Sequence, residues 1–513
     1  MAKQKNGVSR RHFLVGSILA GAVPAGGFGS VPSLKALGYK SPNEKLNIAA
    51  IGAGGRPLSV TRNCEPENIV ALADVDWERG KEGFETWPKA AKYNDFRQML
   101  DKSGTDIDAV VIGTPDHTHA TCALACMQLG KHVYLEKPLT RTAWEARLLT
   151  LAAERYKVAT QMGNQGYSHD ATRVASEIIW SGEIGEVKEV HAWQSRASWP
   201  QGMAKIPSPT SVPDTLNWDG WLGGAAWREF TAGDQEYLDF VTARSERSGR
   251  GGSGPQQFGF YLPFNWRGFY DFGSGLIGDW GIHILGPANW GLQLSPESLV
   301  SVECVQKDFL PPFTFPDCLT IKYEFAAREG MAPVTVYWHN VVGDAYTPPG
   351  MTAEVARKIE GQGPQVGPPR VPRPGAPPRR RPITGSGYNC IMVGSKGYLG
   401  TSGRGEGVGL LPGTRWAAYE LPNPYLTRSP GASTGSNGSA HVRDWIRACK
   451  GGTPACSDFE IGGPFTEWLV LGAAAVHVQG RLLWDNKKGK FSNNDEANQW
   501  VKPTYRKGWE IGL

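Results

Sequence analysis

From Leu46 to Gln161, short apolar runs bounded by glycine, proline and acidic residues alternate with segments of helical period. Leu46–Ile51 reads as a strand that turns through Gly52-Ala53-Gly54-Gly55-Arg56-Pro57 into a helix. Ile69–Ala73 is a second strand, ending in Asp74-Val75-Asp76, and Ala109–Ile112 a third, followed by Thr114-Pro115. Helical patterns start at about Asp95 and span His119–Leu129; Val133–Leu135 then gives a fourth strand before Glu136-Lys137-Pro138. A helix over Ala143–Arg155 and a strand over Val158–Gln161 extend the layer. Strands alternating with helices predict an α/β, doubly wound parallel sheet over residues 41–165.

Beyond Gly166 the runs lengthen: Val187–Gln194, Leu299–Val305, Cys318–Phe325 and Val334–His339, with few helical segments between the later ones. That pattern predicts a second, α+β domain over residues 166–513 with a mostly antiparallel sheet. Residues 241–262 fit no regular element, and residues 431–438 form a Gly/Ser loop. In 343–388 proline, glycine and arginine dominate, a composition expected of a solvated, disordered-like insertion because it cannot bury enough apolar area.

The first forty residues do not read as part of this fold. Arg10-Arg11-His12-Phe13-Leu14 precedes a Gly/Ala-rich apolar run too short for a membrane span. It reads as a twin-arginine signal, implying a periplasmic or exported protein without a membrane anchor. Composition is otherwise ordinary for a globular chain, with 40% hydrophobic residues and a net charge of +5. The excess sits partly in the leader and in Arg379-Arg380-Arg381, so no nucleic-acid partner is implied. Eight cysteines lack zinc or CxxC spacing and are expected to be buried thiols, with no metal site.

A strand, Gly-x-Gly and a helix make a dinucleotide fingerprint: Gly52, Gly54 and Gly55 would let the backbone approach a pyrophosphate at the helix N-terminus, with Arg56 beside it. Pro57 stands where a third glycine is usual. Asp74, about twenty residues on at the end of the next strand, would accept from the ribose hydroxyls. An acid there favours NAD over NADP, although Arg56 and Arg79 keep NADP open; Asp76 reads as a solvated turn acid. Thr114, Pro115, His117 and His119 follow the third strand at the carboxyl edge, where ligands bind. Each histidine could equally serve loop structure. Lys137 would be held at the same edge by the rigid peptide bond to Pro138, which proline allows to be cis. Asp279 and His283, four residues apart, would share one helix face. The alternative is a helix cap and a core imidazole. Among 19 tryptophans, Trp199, Trp218, Trp221 and Trp266 lie in loops leading to that segment, and aromatic faces suit sugar rings. Most tryptophans are core residues. Arg267 is a further substrate-pocket candidate.

Together the Gly-x-Gly-Gly turn, TPDHTH, LEKPL, MGNQG and GDWGIH resemble the Gfo/Idh/MocA oxidoreductases, from about residue 46 to the C-terminus apart from 343–388. WPQGM, VPDTLNWDGWLG and LPFNWRGFYDFGSG are similar to exported members. The resemblance implies an N-terminal Rossmann domain for a nicotinamide cofactor and a C-terminal domain with a large open sheet that makes homo-oligomer contacts. It implies catalysis by Lys137, Asp279 and His283, with Glu136 beside the nicotinamide and Asn164-Gln165-Gly166 near cofactor and substrate. Pro57, and Gly286 where relatives often carry an acid, depart from the family pattern.

The expected reaction is oxidation of a secondary hydroxyl of a sugar, glycoside or polyol, the hydride passing to tightly bound NAD. His283 would accept the hydroxyl proton, Lys137 would donate to the reacting oxygen, and Asp279 would bind a neighbouring hydroxyl or orient the imidazole. Two alternatives stand beside it. One is a glycoside hydrolase working by transient oxidation and elimination; the other is a non-catalytic sugar-binding relative, since fold alone does not imply activity.

Overall fold

The computed structural model describes residues 44–513 except 196, 198, 248–258, 342–345, 358–363, 365, 367–386 and 429–436. The leader therefore lies outside the described residues. Six parallel strands open the chain: β1 (Asn47–Ile51), β2 (Asn68–Ala73), β3 (Ala91–Tyr93), β4 (Ala109–Ile112), β5 (His132–Leu135) and β6 (Thr160–Met162). Their order in the sheet is β3-β2-β1-β4-β5-β6. The chain reverses direction across the sheet between β1 and β4, which opens a crevice at their carboxyl ends. β4 is buried at every position, as a parallel strand covered on both faces must be.

The helices that matter below are α1 (Gly55–Arg62), α2 (Trp77–Thr86), α3 (Asp116–Gln128), α4 (Ala143–Tyr156), α5 (Asp170–Trp180), α6 (Gly275–Ile284), α7 (Asn437–Cys449) and α8 (Phe459–Ala475). Thr142 and Glu145 form a capping box at the start of α4, which satisfies N-H groups that the helix itself cannot.

The second sheet has nine strands, β7 (Val187–Ser195), β8 (Leu299–Lys307), β9 (Leu319–Phe325), β10 (Val334–Val341), β11 (Cys390–Gly394), β12 (Gly397–Thr401), β13 (Val408–Leu411), β14 (Leu482–Asp485) and β15 (Lys490–Phe491). All neighbours pair antiparallel except β7 and β10. The α/β plus mostly antiparallel architecture agrees with the sequence. Leu319, Ile321, Tyr323 and Phe325 of β9, with Val334, Val336 and Trp338 of β10, enter the main core. The period of two explains this, since alternate side chains share one face. That face packs on α6 and α8.

Three expectations change; the first is residues 241–262, read as fitting no regular element, which a helix, Gln235–Arg247, enters. The division at residue 165 does not separate all packing, because α7 returns to the first sheet. Its Val442, Trp445, Ile446 and Cys449 bury against Ile48, Ala50, Leu72, Val111 and Tyr134; the parallel sheet needs a cover on that face, and a late helix supplies it. Within 343–388, expected to be solvated, Tyr346, Met351 and Ala356 pack with Trp193 and Ile391 on the second sheet. Trp193 projects from the face opposite the core and needs an apolar cover there. Most of the rest of that segment lies outside the described residues. No disulfide links any cysteine, and Cys64, Cys122, Cys126, Cys390 and Cys449 are buried. Among the described residues no helix is long and apolar enough to cross a membrane, and no cluster of His, Cys, Asp or Glu has metal-binding geometry.

Candidate active site

A cleft of about 580 Å³ runs from the carboxyl ends of β1, β2, β4 and β5 to the inner face of α6. At one end lies the glycine turn. Gly52 has φ of 95°, and Gly54 caps α1 without a side-chain hydrogen bond, leaving first-turn N-H groups for a ligand. Pro57 packs closely on the end of β4: a Cβ on Gly113 would lie 2.7 Å from Pro57 Cβ, and one on Gly52 2.8 Å from Pro57 Cγ. The close strand–helix approach usually given by a third glycine comes here from Gly113 on the opposite side.

Asp74 Oδ2 accepts from the Ala53 N-H at 2.8 Å, and Oδ1 accepts from the Asp76 N-H at 3.0 Å. Burial pushes its pKa up to about 6, with those two N-H groups pulling the other way. Each carboxylate oxygen keeps a further lone pair for ribose hydroxyls. The open helix start, the turn without side chains and this carboxylate fit a dinucleotide. Asp76 instead caps α2, accepting from the Arg79 N-H.

Thr114 and Pro115 line the cleft, but His117 and His119 do not. His117 packs in a three-ring cluster with Trp221 and Phe272, with Nε2 2.8 Å from the Trp221 carbonyl oxygen, and burial pushes its pKa down to about 3. His119 places Nε2 2.8 Å from the Thr114 carbonyl oxygen and Nδ1 3.0 Å from that of Pro138. It ties the end of β4 to the loop carrying Lys137. Asn164 is also set behind the cleft wall, its Oδ1 accepting from Ser457 Oγ at 2.6 Å; its neighbour Gln165 reaches the cleft. Gly55 does not line it either, since Arg79 lies over its Cα.

At the other end, Lys137 and Asp279 meet although 142 positions separate them. Lys137 Nζ donates to Asp279 Oδ1 at 2.7 Å and to the Asp279 carbonyl at 2.9 Å. Arg267 Nε donates to the same Oδ1 at 2.9 Å, and its guanidinium lies over the rings of Trp266 and Phe264. Burial opposes ionisation of Asp279, but the two cations outweigh it and hold its pKa well below the usual carboxylate range. Three N-H bonds belong to a lysine ammonium. With two given to Asp279, one remains for a ligand.

His283 stands one helical turn further along α6 and is buried. Its Nδ1 has no hydrogen-bond partner. Burial, reinforced by the charges of Lys137 and Arg404, pushes its pKa well below the ordinary value, so the imidazole is neutral at pH 7 and carries a lone pair. Glu136 is buried against Arg56, Nε to Oε1 2.9 Å, and both line the cleft. Trp199, Trp221 and Trp266 line it too, whereas Trp218 stacks on Trp221 in the core behind.

Two charged lining residues escaped the sequence reading. Asp116 opens α3 and is 1% exposed; Oδ2 accepts from Ser274 Oγ at 3.1 Å, and Oδ1 has no partner. Burial, with Asp279 nearby, pushes its pKa up to about 7. An acid in a first helical turn passes for a dipole-stabilised cap, although its place inside TPDHTH was a signal. Arg404 lies in a glycine-rich turn without periodicity.

Residues 46–164 match the model of an oxidoreductase family with an NAD-binding Rossmann fold, GFO_IDH_MocA. This part of the chain is similar to the Gfo/Idh/MocA oxidoreductases. A glycosyl hydrolase family 109 protein of Solibacter usitatus is 32% identical over 198 residues, 35% of this chain and 44% of that protein. A levoglucosan dehydrogenase of Pseudarthrobacter phenanthrenivorans is 28% identical over 245 residues, 42% of this chain and 61% of that one. The chain thus spans about half the length of the curated relatives it matches. Among solved structures, the WlbA dehydrogenase of Chromobacterium violaceum with NADH and UDP-GlcNAcA is similar in fold, with a TM-score of 0.52 at 14% identity, covering 86% of this chain and 97% of that one.

Proposed function

We propose that the protein is an NAD-dependent oxidoreductase acting on a secondary hydroxyl of a sugar, glycoside or polyol. The observation that carries this reading is the meeting of Lys137, Asp279 and His283, from two domains, in the cleft that also holds the glycine turn. The turn Gly52–Pro57 and Asp74 hold the cofactor, and NAD supplies a hydride acceptor when bound. The neutral His283 takes the hydroxyl proton, and the third Lys137 N-H donates to the same oxygen as negative charge grows there. Asp279 aims Lys137, so its role is positioning rather than proton transfer. A non-catalytic binder has no need of an ammonium and an unpartnered imidazole facing one cavity. The Asp74 carboxylate favours NAD, since a 2'-phosphate would meet its charge.

Mass spectrometry of ligand released from native protein should give NAD. Glycosides should raise the near-ultraviolet absorbance of reduced nicotinamide in the wild type and not in His283→Ala. Protein that neither carries nor binds NAD refutes the reading. The relative named as a family 109 glycosyl hydrolase favours a second one, in which oxidation is transient and the aglycone is eliminated. A released aglycone with an unoxidised sugar would select it. The Arg10-Arg11 leader supports export, where free NAD is scarce and a tightly held cofactor is needed; cell fractionation tests this. A homo-oligomer is the accompanying expectation, tested by light scattering.

A further inference from the structure

The turn between β12 and β13, residues 402–407, reaches from the edge of the second sheet to the cleft. Its backbone is pinned there. A Cβ on Gly166 would lie 2.5 Å from the Arg404 carbonyl oxygen, so only glycine in MGNQG allows the contact. Thr172 Oγ1 bridges the two strands of chain, donating to the Gly166 carbonyl at 2.8 Å and lying 3.4 Å from that of Gly405. Glu406 accepts from the Arg404 backbone N-H at 2.6 Å. The Arg404 side chain then lines the cavity beside His283, its guanidinium 5.3 Å from the centre of the Trp280 ring.

Apart from Asp116 and, at the cofactor end, Arg79, the other charges of the cleft are already paired or capped. Asp279 holds Lys137 and Arg267, Glu136 holds Arg56, and Asp74 accepts two backbone N-H groups. Among the described residues Arg404 has no carboxylate partner within ion-pair distance. Around His283 the cations Lys137, Arg267 and Arg404 therefore face one firmly ionised carboxylate, Asp279. Asp116, at about 7, is only half-charged at neutrality. Oxidised nicotinamide would add positive charge rather than remove it. A site with this excess is completed by an anion, and a guanidinium lying on an indole keeps its N-H edge free for a planar two-oxygen group.

We infer that Arg404 is a substrate-selecting residue that binds a carboxylate on the sugar, so that the cleft takes uronic acids or their glycosides in preference to neutral sugars. The inference rests on the sugar-oxidoreductase reading of the same cleft. The methyl glycosides of glucuronic, galacturonic and mannuronic acid, and their neutral counterparts, should be compared on NAD-loaded wild type, Arg404→Gln and Arg404→Lys. Calorimetric titration and nicotinamide reduction are both read. One uronide at least should bind about tenfold tighter than its neutral partner, the value of a charge-assisted hydrogen bond. Arg404→Gln should collapse that ratio, Arg404→Lys should restore part of it, and added salt should shrink it. No preference for any uronide, or a preference that survives Arg404→Gln, overturns the inference. So does a Gln variant that loses NAD affinity while keeping the ratio, since Arg404 would then serve the cofactor. Arg404-dependent uronide binding without nicotinamide reduction refutes the oxidoreductase reading alone. Turnover of neutral glycosides only does the reverse.

Discussion

Pro57 and Gly113 should form a reciprocal pair whose coupling can be measured. Gly113→Ala would place a methyl 2.7 Å from Pro57 Cβ and 3.0 Å from both Cγ and Cδ. Carbon atoms rest at about 3.5–4.0 Å, and the proline ring sits in the first turn of α1, where it has no rotamer to escape into. Overpacking of this kind costs about 1–3 kcal/mol. Because α1 must shift away from β4, the N-H groups at its start move with it. NAD affinity should fall about tenfold, the equivalent of roughly 1.4 kcal/mol. Pro57→Gly in the same chain restores the usual third glycine and removes all three contacts. The pair should then show about 1–2 kcal/mol of favourable coupling, within the range for residues in contact. Pro57→Ala is the control, since its Cβ preserves the shortest contact and should relieve little. Urea midpoints and NAD titrations on the single and double variants give both numbers. If Gly113→Ala costs as much in the Pro57→Gly background as in the wild type, the reciprocal packing is wrong.

Asp279→Asn should leave Lys137 and Arg267 without their carboxylate, costing about 3–5 kcal/mol of stability as for a broken buried pair, and should depress kcat/KM more than it raises KM. The folded pKa of Asp279 is lowered, so its stabilisation is present above the ordinary carboxylate value and lost as pH falls through the folded one; melting curves of the Asn variant should lack that acid-side loss. Asp116 is raised to about 7, so the opposite sign holds: stability declines by up to about 1.4 kcal/mol per pH unit between roughly pH 4 and pH 7. Asp116→Asn should remove that slope, and an unchanged slope in denaturation at stepped pH would contradict it. NAD affinity should weaken as pH drops below about 6, where Asp74 protonates. Asp74→Asn should bind weakly and without that dependence.

The parallel sheet was legible because each of its long strands is an apolar run ended by a turn signal, as in Ile69–Ala73 before Asp74. β3 was not, since Ala91-Lys92-Tyr93 has neither length nor alternation; its place is set by pairing with β2. The strands β11 to β15 are only two to five residues long, and α7 gave no sign that its partners lay in the first strands of the chain. Lys137, Asp279 and His283 could be read because their chemistry is rare in apolar surroundings. His117 and His119 carried the same chemistry, yet His119 faces two backbone carbonyls, and His117 faces one through Nε2 and sits outside the cleft lining. Sequence cannot tell an imidazole facing a cavity from one facing a carbonyl. Arg404 was invisible for a different reason, since its meaning comes from the partners it lacks.

On the proposed function, one carboxylate accounts for how residues far apart in the chain would form a single reacting centre. Lys137 arrives on the loop after β5 and Asp279 on α6, and the 2.7 Å contact between them fixes the distance between the domains at the point where chemistry occurs. The same contact aims the lysine N-H groups, while burial, with Lys137 and Arg404 beside it, drives His283 towards its neutral form. On the proposed reading an N-H donor and a neutral imidazole then share one site, which suits moving a proton from a hydroxyl while steadying the oxygen left behind. Removing the carboxylate would take away the two contacts that aim Lys137, so the loss should appear in turnover before it appears in sugar binding.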